Sequence, residues 1–539
     1  MQIFSSNTFS IEQAGILNRL CSDYLFNPTK LRSFYIDVPA IESFVTQIEK
    51  RKSSQINRSL LLEVLTSQYK QSNLLSETIS KQINTLASAN TFTITTGHQL
   101  CLFGGPMYFI YKIVSVINLS KQLKKAYPAY HFVPVFWMAT EDHDFAEINH
   151  FNLFGKRINW EQKSGGAVGE ISTEGLSDIY TELSSVLGNH PNAAWFLSLF
   201  DKAYLKQDTL ANATRVFVNE LFGNEGLVCI DANDAQLKQQ FASVVQKDMF
   251  EQIAFNKINE TDARLSKDYK LQISAREINF FYMDKALRER ILFEDGMYKV
   301  LNTSLQFSKS EMENLIENNP EKLSPNVALR PLYQESILPN LAYIGGGAEV
   351  AYWLQLKSTF DACNVHYPIV MLRNSALVLN ASTLKKMNKL DFLVDDFFKD
   401  IDLLIKEKLD ANTAFDLQLS DEKKSINQIF TALKKQVEAI DTTLLSSVEA
   451  ENQKTLNALD NLSSKLLRAE KRKNEVMLSQ IESLYDKAFP NGTFQERSEN
   501  FSSISLNYGS SFIDYLLHTF NPFEKDLYVI EEKNPTNNL

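Results

Sequence analysis

The sequence predicts an α/β fold: a Rossmann-like parallel-sheet core with inserted connecting segments, plus an α-helical antiparallel coiled-coil arm. Three observations carry the prediction. From about residue 91, short apolar or β-branched runs alternate with helical text. Glycine-rich turns lie between such runs and the helices that follow. Between Gly347 and Gly492 there is no glycine, and between Pro368 and Pro490 no proline, so structure breakers vanish over a long stretch.

In chain order, residues 1–90 read as a helical layer packed on the core. "IESFVTQIEKR" and "RSLLLEVLTSQYKQ" repeat apolar residues at helical spacing, and Gly15 is the only glycine before Gly97. Residues 91–378 form the core. "TFTITTG" and "HFVPVFWMA" read as strands flanking a helix over 106–125, with Met107, Ile110, Val114 and Ile117 on one face. Lys121, Lys124 and Lys125 suit the negative end of its dipole. "GLVCIDAND" and "YPIVMLRNS" add two buried strands. "INFFYMD" and "RILFEDGMYKV" read as antiparallel strands within inserts at about 150–320. Ser308 and Glu311 in "FSKSEMENLIE" make a capping box before a helix.

Residues 379–488 read as the arm. Ile426, Phe430, Leu433, Val437, Ile440 and Leu444 alternate by four and three, which is a heptad seam. Asp441, Thr442 and Thr443 are poor residues for a helix interior and mark a bend. A second long helix follows, and its uncovered apolar surface predicts a homodimer through the arm. Residues 489–539 return to the core through the helix "SFIDYLLHTF" and the strand "LYVIEE".

Composition excludes several classes. The 55 Lys+Arg against 65 Asp+Glu give a net charge of −10, which disfavours a nucleic-acid partner. No apolar run approaches a membrane span, and no secretory signal opens the chain. The four cysteines, Cys21, Cys101, Cys229 and Cys363, form no CxxC pair, so neither a zinc ribbon nor a redox motif is expected. The chain reads as cytoplasmic, with free thiols.

Three stretches carry candidate chemistry. In the first, Thr96, Gly97, His98 and Gln99 end a strand, and Gly104 and Gly105 follow. One glycine suffices for a turn. The polar residues beside it, at the carboxyl end of a strand, point to a nucleotide or carboxylate cradle. Neither GxxxxGK[ST] nor GxGxxG is met.

In the second, Glu141, Asp142, His143 and Asp144 follow a strand directly, with Glu147, Asn149 and His150 close behind. Adjacent ionisable groups repel and need a cation or a shared proton. Metal binding, general-base work and the gripping of an amine or ribose are all open. Asp144 with Glu147 also reads as a helix cap, and the spacing matches no standard zinc ligand set.

The third stretch holds Arg330 and Gln334, then Gly345, Gly346 and Gly347 before a helix opening at Ala348 and Glu349. This is a second glycine loop at a helix start. Tyr343, Tyr352 and Trp353 are candidates for a pocket wall, although for the aromatics taken alone plain core packing is the better reading.

Together "TGHQ", "PVFWMATEDHDFAEINH", "LSPNVALRPLYQE", "LPNLAYIGGGAEVAYW", "KLLRAEKRK" and "FPNGTFQER" resemble the cysteine ligase family of bacillithiol biosynthesis, the cysteine-adding enzymes. The resemblance implies a Rossmann-like core, a dimerising coiled coil, and amide formation between L-cysteine and the amine of glucosaminyl-malate. ATP with Mg²⁺ is then the expected activator of the carboxylate. On that reading Gly97, His98 and Gln99 serve activation, and Glu141, Asp142, His143 and Asp144 take the amine or ribose. Arg330 or Arg373 pairs with the malate carboxylates. A further nucleotide site is conceivable near Pro490, Asn491 and Gly492. The rival reading is a nucleotide-binding scaffold or regulatory protein dimerising through its coil.

Overall fold

The computed structural model describes residues 3–162, 165–413 and 416–533. The chain divides into two compact units, one of Met1–Val378 with Thr493–Ile530, the other of Leu379–Gly492 with the residues from Glu531 onward.

The first unit is built on five parallel strands: β1 (Thr91–His98), β2 (His131–Met138), β3 (Val228–Asp231), β4 (Asn340–Gly345) and β5 (Ile369–Leu372). Their spatial order is β5-β4-β1-β2-β3. Every residue of β1 is buried, as expected of a central strand covered on both faces. β1 pairs with β2 in unbroken register from Thr91 opposite His131 to His98 opposite Met138. On its other side it meets β4 across a local irregularity at Asn340–Ala342. The Asn340 Oδ1 fills that gap by accepting from both the Thr93 and Thr95 hydroxyls, at 3.2 and 2.9 Å.

This order fixes where a ligand can sit. From β1 the chain winds outward through β2 to β3, then returns to the opposite side of β1 for β4 and β5. Loops leaving β1 and β4 therefore diverge, and a crevice opens at their carboxyl ends. Three helices frame it: α1 (Tyr108–Ala126), α2 (Arg330–Ile337) and α3 (Gly347–Cys363).

Two expectations need correction. The helix after β1 opens at Tyr108 and is buried at every residue from Phe109 to Ser120, not along one face only, because it lies between packed layers. The first ninety residues are mostly helical but begin with a strand, Phe4–Phe9, in one sheet with Leu527–Glu532. Its polar text, FSSNTF, gives no apolar alternation to betray it.

The inserts carry an antiparallel sheet that includes Phe280–Asp284, Leu287–Glu294 and Met297–Val300. Asp295 and Gly296 both take positive φ, 54° and 76°, in the tight turn of its hairpin. Ser308 and Glu311 form the expected capping box.

In the second unit, α4 (Ser420–Glu438) and α5 (Leu445–Lys473) make a helical hairpin. Lys423 meets Asp460 at 2.6 Å and Lys434 meets Glu449 at 2.5 Å, so the helices run antiparallel. At the bend, the Asp441 carboxylate accepts from the Thr443 N–H at 2.9 Å. Neither helix buries a residue fully, and Leu433, Ile440 and Leu444 of the seam stand exposed. Among the described residues no helix is long and apolar enough to cross a membrane.

Candidate functional site

A cleft of about 300 Å³ occupies the crevice between β1 and β4. Gly97, His98 and Gln99 line it from β1, Arg330 from α2, and Gly346, Ala348, Glu349 and Tyr352 from the start of α3. Lys112, Tyr108, Tyr343, Arg373 and Arg497 complete the wall.

The cleft is cationic, and its cations are only partly neutralised. Lys112 is buried and bonds both the Gly97 carbonyl, at 2.7 Å, and Glu349, at 2.5 Å. Burial pulls its pKa below the usual lysine value, and Glu349 works against that shift. Arg373 forms a two-pronged pair with buried Glu496, at 2.5 and 3.0 Å. Its Nε has no hydrogen-bond partner among the described residues. Arg330 donates from Nη1 to Gln334 at 3.0 Å, and its guanidinium lies 5.7 Å from the Trp137 ring and 5.5 Å from that of Tyr343. Its Nη2 is also buried without a well-formed hydrogen bond among the described residues, with the Tyr352 hydroxyl as a neighbour of the guanidinium. A buried guanidinium N–H left unpaired is costly, so each is a seat for an oxygen of an anionic ligand.

Glu349 carries the negative counterweight. Its carboxylate accepts from the Gly346 N–H at 2.9 Å and from the Tyr343 hydroxyl at 2.5 Å. The protein's own carboxylate thus occupies the amino end of α3, where the glycine loop offers an anion seat. Lys112, with these hydrogen bonds, holds the Glu349 pKa below the ordinary carboxylate value despite burial. Gly345 is needed for close approach: a side-chain carbon there would lie 2.8 Å from the Glu349 Cβ.

His98 sits on the opposite lip. Its Nδ1 lies 2.9 Å from the Gln99 carbonyl, so the proton belongs on Nδ1 and the lone pair on Nε2. Burial, reinforced by Lys112, pushes its pKa down to about 3. The ring is neutral at any physiological pH.

Other predicted residues lie outside the cleft. Thr96 donates to the Ile344 carbonyl at 2.7 Å and ties β1 to β4. Gly104 and Gly105, with φ of 78° and 57°, form a buried turn against Phe217 and Cys101. Asn500 bonds the Gly105 carbonyl at 2.6 Å. Gln334 is buried and bonds Glu335 at 2.8 Å. Gly347 packs on Leu17, and Trp353 is fully buried, stacked on Tyr343 at 4.6 Å between centroids. Asn149 bonds the Trp160 carbonyl at 3.1 Å.

The acidic strip after β2 is engaged within the protein, by one lysine and by hydrogen bonds. Glu141 pairs with buried Lys238. Asp142 and Glu147 both accept from the Gln99 side-chain amide, at 2.8 and 2.7 Å. His143 meets Arg288 at 2.6 Å. Asp144 caps the short helix Phe145–Ile148. Gln99 is therefore the link between this strip and the cleft. Among the described residues no cluster of three or more His, Cys, Asp or Glu is placed to hold a metal ion.

Sequence reasoning did not single out Lys112, Tyr108 or Arg497. Lys112 had a signal: a lysine on the buried face of an otherwise apolar helix needs a partner. Arg497 had none, since it reaches the cleft from far along the chain.

Comparison with known proteins agrees with this architecture. Residues 5–374 match the family model described as "Bacillithiol biosynthesis BshC, N-terminal Rossmann-like domain". Residues 376–532 match "Bacillithiol biosynthesis BshC, C-terminal coiled-coil domain". A Flavobacterium johnsoniae protein named "Putative cysteine ligase BshC" is 43% identical, covering 97% of this chain and 99% of its own length. Proteins of the same name from Flavobacterium psychrophilum, 43% identical over 98% and 99%, and Christiangramia forsetii, 41% over 97% and 99%, are similar throughout.

Proposed function

The chain belongs to the BshC family of bacillithiol biosynthesis, and from that premise we propose that it joins L-cysteine to the amine of glucosaminyl-malate through an amide bond. The observation that carries this reading is the unfinished cationic lining of the cleft, above all the Nη2 of Arg330 and the Nε of Arg373, buried without a well-formed hydrogen bond among the described residues. Such donors suit the paired carboxylates of a malate group or the oxygens of a phosphate.

Forming an amide from a free carboxylate is uphill. ATP, entering with Mg²⁺ as co-substrate, would supply the drive by converting the cysteine carboxylate to an adenylate or acyl phosphate. The same guanidinium seats suit its phosphates, and the metal would travel on them, since Mg²⁺ characteristically keeps phosphate and water ligands. The residues of the chain do the positioning. Arg330 and Arg373 fix the anionic groups, while Glu349, held by Lys112 and Tyr343, sets the charge of the opposite wall. The Nε2 lone pair of His98 accepts a hydrogen bond from the sugar amine and aims the amine lone pair at the activated carbonyl. A ring with its pKa near 3 does not store the departing proton, so the proton leaves to solvent or to the released phosphate. Asp142 and Glu147 hold Gln99 in place beside it.

We assign the arm to homodimerisation. Support comes from Ile429, Leu433, Ile440, Leu444, Leu462 and Leu466, all exposed along α4, α5 and the turn between them.

The test is mass spectrometry of the purified chain incubated with ATP, Mg²⁺, L-cysteine and glucosaminyl-malate. Bacillithiol together with AMP or ADP establishes the ligase and names the activation route. A folded, dimeric chain that makes no thiol and consumes no ATP sinks the proposal and leaves the scaffold reading.

A further inference from the structure

A second cavity lies at the other end of the parallel sheet. Its volume is about 670 Å³, larger than that of the cleft. Glu335, in the last turn of α2 before β4, and His366, just before β5, both line it, which places it at the amino ends of these strands. Arg51, Ser243, Ser336 and Asn364 are also in its wall.

Three buried polar atoms of residues lining this cavity have no hydrogen-bond partner among the described residues: the Nε of Arg51, the Oε2 of Glu335 and the Nε2 of His366. Arg51 is 3% exposed and Glu335 0%. Each is anchored by its other atoms. Arg51 donates from Nη2 to the carbonyls of Glu335 and Leu338. The Oε1 of Glu335 accepts from Gln334 at 2.8 Å and Asn340 at 2.7 Å. Among the described residues no ion pair joins the two opposite charges, although they are neighbours. An arginine N–H, a carboxylate oxygen and an imidazole nitrogen are thus left over around one polar cavity, and leaving them unmet is costly.

The helix ends around the cavity repeat this polarity. The helix Ala242–Glu251 opens on it at Ser243 with no side-chain cap; the Val244 and Val245 N–H groups donate to the Phe241 carbonyl, and the positive end of the helix dipole faces the cavity. The helices Ser43–Lys52 and α3 both end on it, at Ser53 and Asn364, presenting the negative ends of their dipoles. Among the described residues no Phe, Tyr or Trp is in its wall and His366 is the one ring there, which disfavours a base sandwiched between aromatic faces.

We propose that this cavity is a second binding site, taking a small α-amino acid as its zwitterion. The carboxylate meets Arg51 and the amino end of the helix Ala242–Glu251. The ammonium meets Glu335 and the carboxyl ends of the other two helices. Burial outweighs the nearby Arg51 charge and pushes the Glu335 pKa up to about 7, and a bound ammonium would work against that shift.

The test is isothermal titration of the full chain with glycine, L-serine, L-glutamine and L-cysteine, each alone. At least one gives a saturable one-to-one heat. That heat persists in Ala348→Trp, which fills the cleft between β1 and β4, and is lost in Ser243→Trp, which fills this cavity from its exposed wall. Glu335→Gln weakens the binding about tenfold or more, the size expected for losing a charge-assisted hydrogen bond. If Glu335→Gln does not fold, Ser243→Trp decides alone, its fold checked by circular dichroism. No saturable heat with any of the four, or a heat that Ala348→Trp abolishes or Ser243→Trp leaves intact, overturns the proposal.

Discussion

Two stretches at the carboxyl edge of one sheet invite the same reading, and the structure treats them differently. After β2 come Glu141, Asp142, His143 and Asp144, the densest run of ionisable text in the chain. Between β1 and β4 lie isolated groups drawn from distant segments, Lys112, Arg330, Arg373 and Arg497 among them. In the dense run, each ionisable side chain is engaged locally: Glu141 by the Lys238 cation, Asp142 by the neutral Gln99 amide, His143 by Arg288, and Asp144 as the cap of the Phe145 turn. In the scattered set, the Nε of Arg373 and the Nη2 of Arg330 are buried without a well-formed hydrogen bond among the described residues. Charge density along the sequence marks where a fold must engage its own charges. An unfinished hydrogen-bond inventory in a crevice marks where it expects a ligand.

The strongest test of that contrast is Arg373→Met. It leaves Glu496, 1% exposed, without its cation. Breaking a buried pair from one side costs about 3–5 kcal/mol. Urea unfolding should show a loss of that size, largely restored by the double change Arg373→Met with Glu496→Leu. A loss within about 0.5 kcal/mol, the range of ordinary surface changes, would mean that the pair is not closed to water and that the cleft is less dry than described.

Protonation separates the two ends of the sheet next. The His98 pKa falls from 6.5 to about 3 in the fold, so between these values the unfolded chain binds a proton that the folded chain refuses. Stability therefore declines as pH falls through that window, by up to about 1.4 kcal/mol per pH unit for this group. Glu335 has the opposite sign. Its pKa rises from 4.5 to about 7, so its contribution is full below 4.5 and is lost as pH climbs through 7. His98→Gln should flatten the acid limb of the stability profile, and Glu335→Gln the limb between 4.5 and 7. His366, also lowered to about 3, keeps part of the acid limb in both variants. An acid limb unchanged in His98→Gln would show that His98 protonates in place and that its lone pair is not reserved for the cleft.

Arg330→Lys sharpens the comparison at the level of chemistry. It keeps the charge but removes the planar fork that lies over the Trp137 and Tyr343 rings. Loss of one charge-assisted hydrogen bond, about 1.5–3 kcal/mol, predicts thiol formation about ten- to a hundredfold slower in kcat/KM, with folding little changed. Initial rates across glucosaminyl-malate concentrations decide it. Wild-type kinetics would remove Arg330 from the anion seat.

Much of this was legible in the sequence, for reasons that can be stated residue by residue. The strands around "TFTITTG" and "HFVPVFWMA" announced themselves because central parallel strands are apolar on both faces. The arm showed because a long helical hairpin tolerates no glycine or proline, and its bend fell at Asp441 as the text required. The site was half legible. Gly97, His98, Gln99, Arg330, Tyr343, Gly346, Glu349 and Arg373 do converge on one cleft. What the text could not convey was which polar groups would be spent on the protein itself. Thr96 holds two strands together, and Gly104 serves a buried turn. Glu349 fills the anion seat its own glycine loop creates. Arg497 joins from more than a hundred residues away, through pairings that local periodicity does not encode.

The smallest expected effect lies at the end of the dense run. Asp144 accepts from the Glu147 N–H at 3.3 Å and starts a helix of only four residues. Replacing a carboxylate cap with alanine costs about 1 kcal/mol. Asp144→Ala should therefore lower stability by about that much. Thiol formation should fall only as far as the strip shifts Gln99, because Asp144 itself touches neither the cleft nor Gln99. Pairing it with Gln99→Leu separates the two effects. If the dense run works through Gln99, Asp144→Ala has no further effect on the rate once Gln99 is gone. If Asp144 handles the amine directly, the two losses multiply, and the distinction between a locally engaged strip and an open cleft collapses.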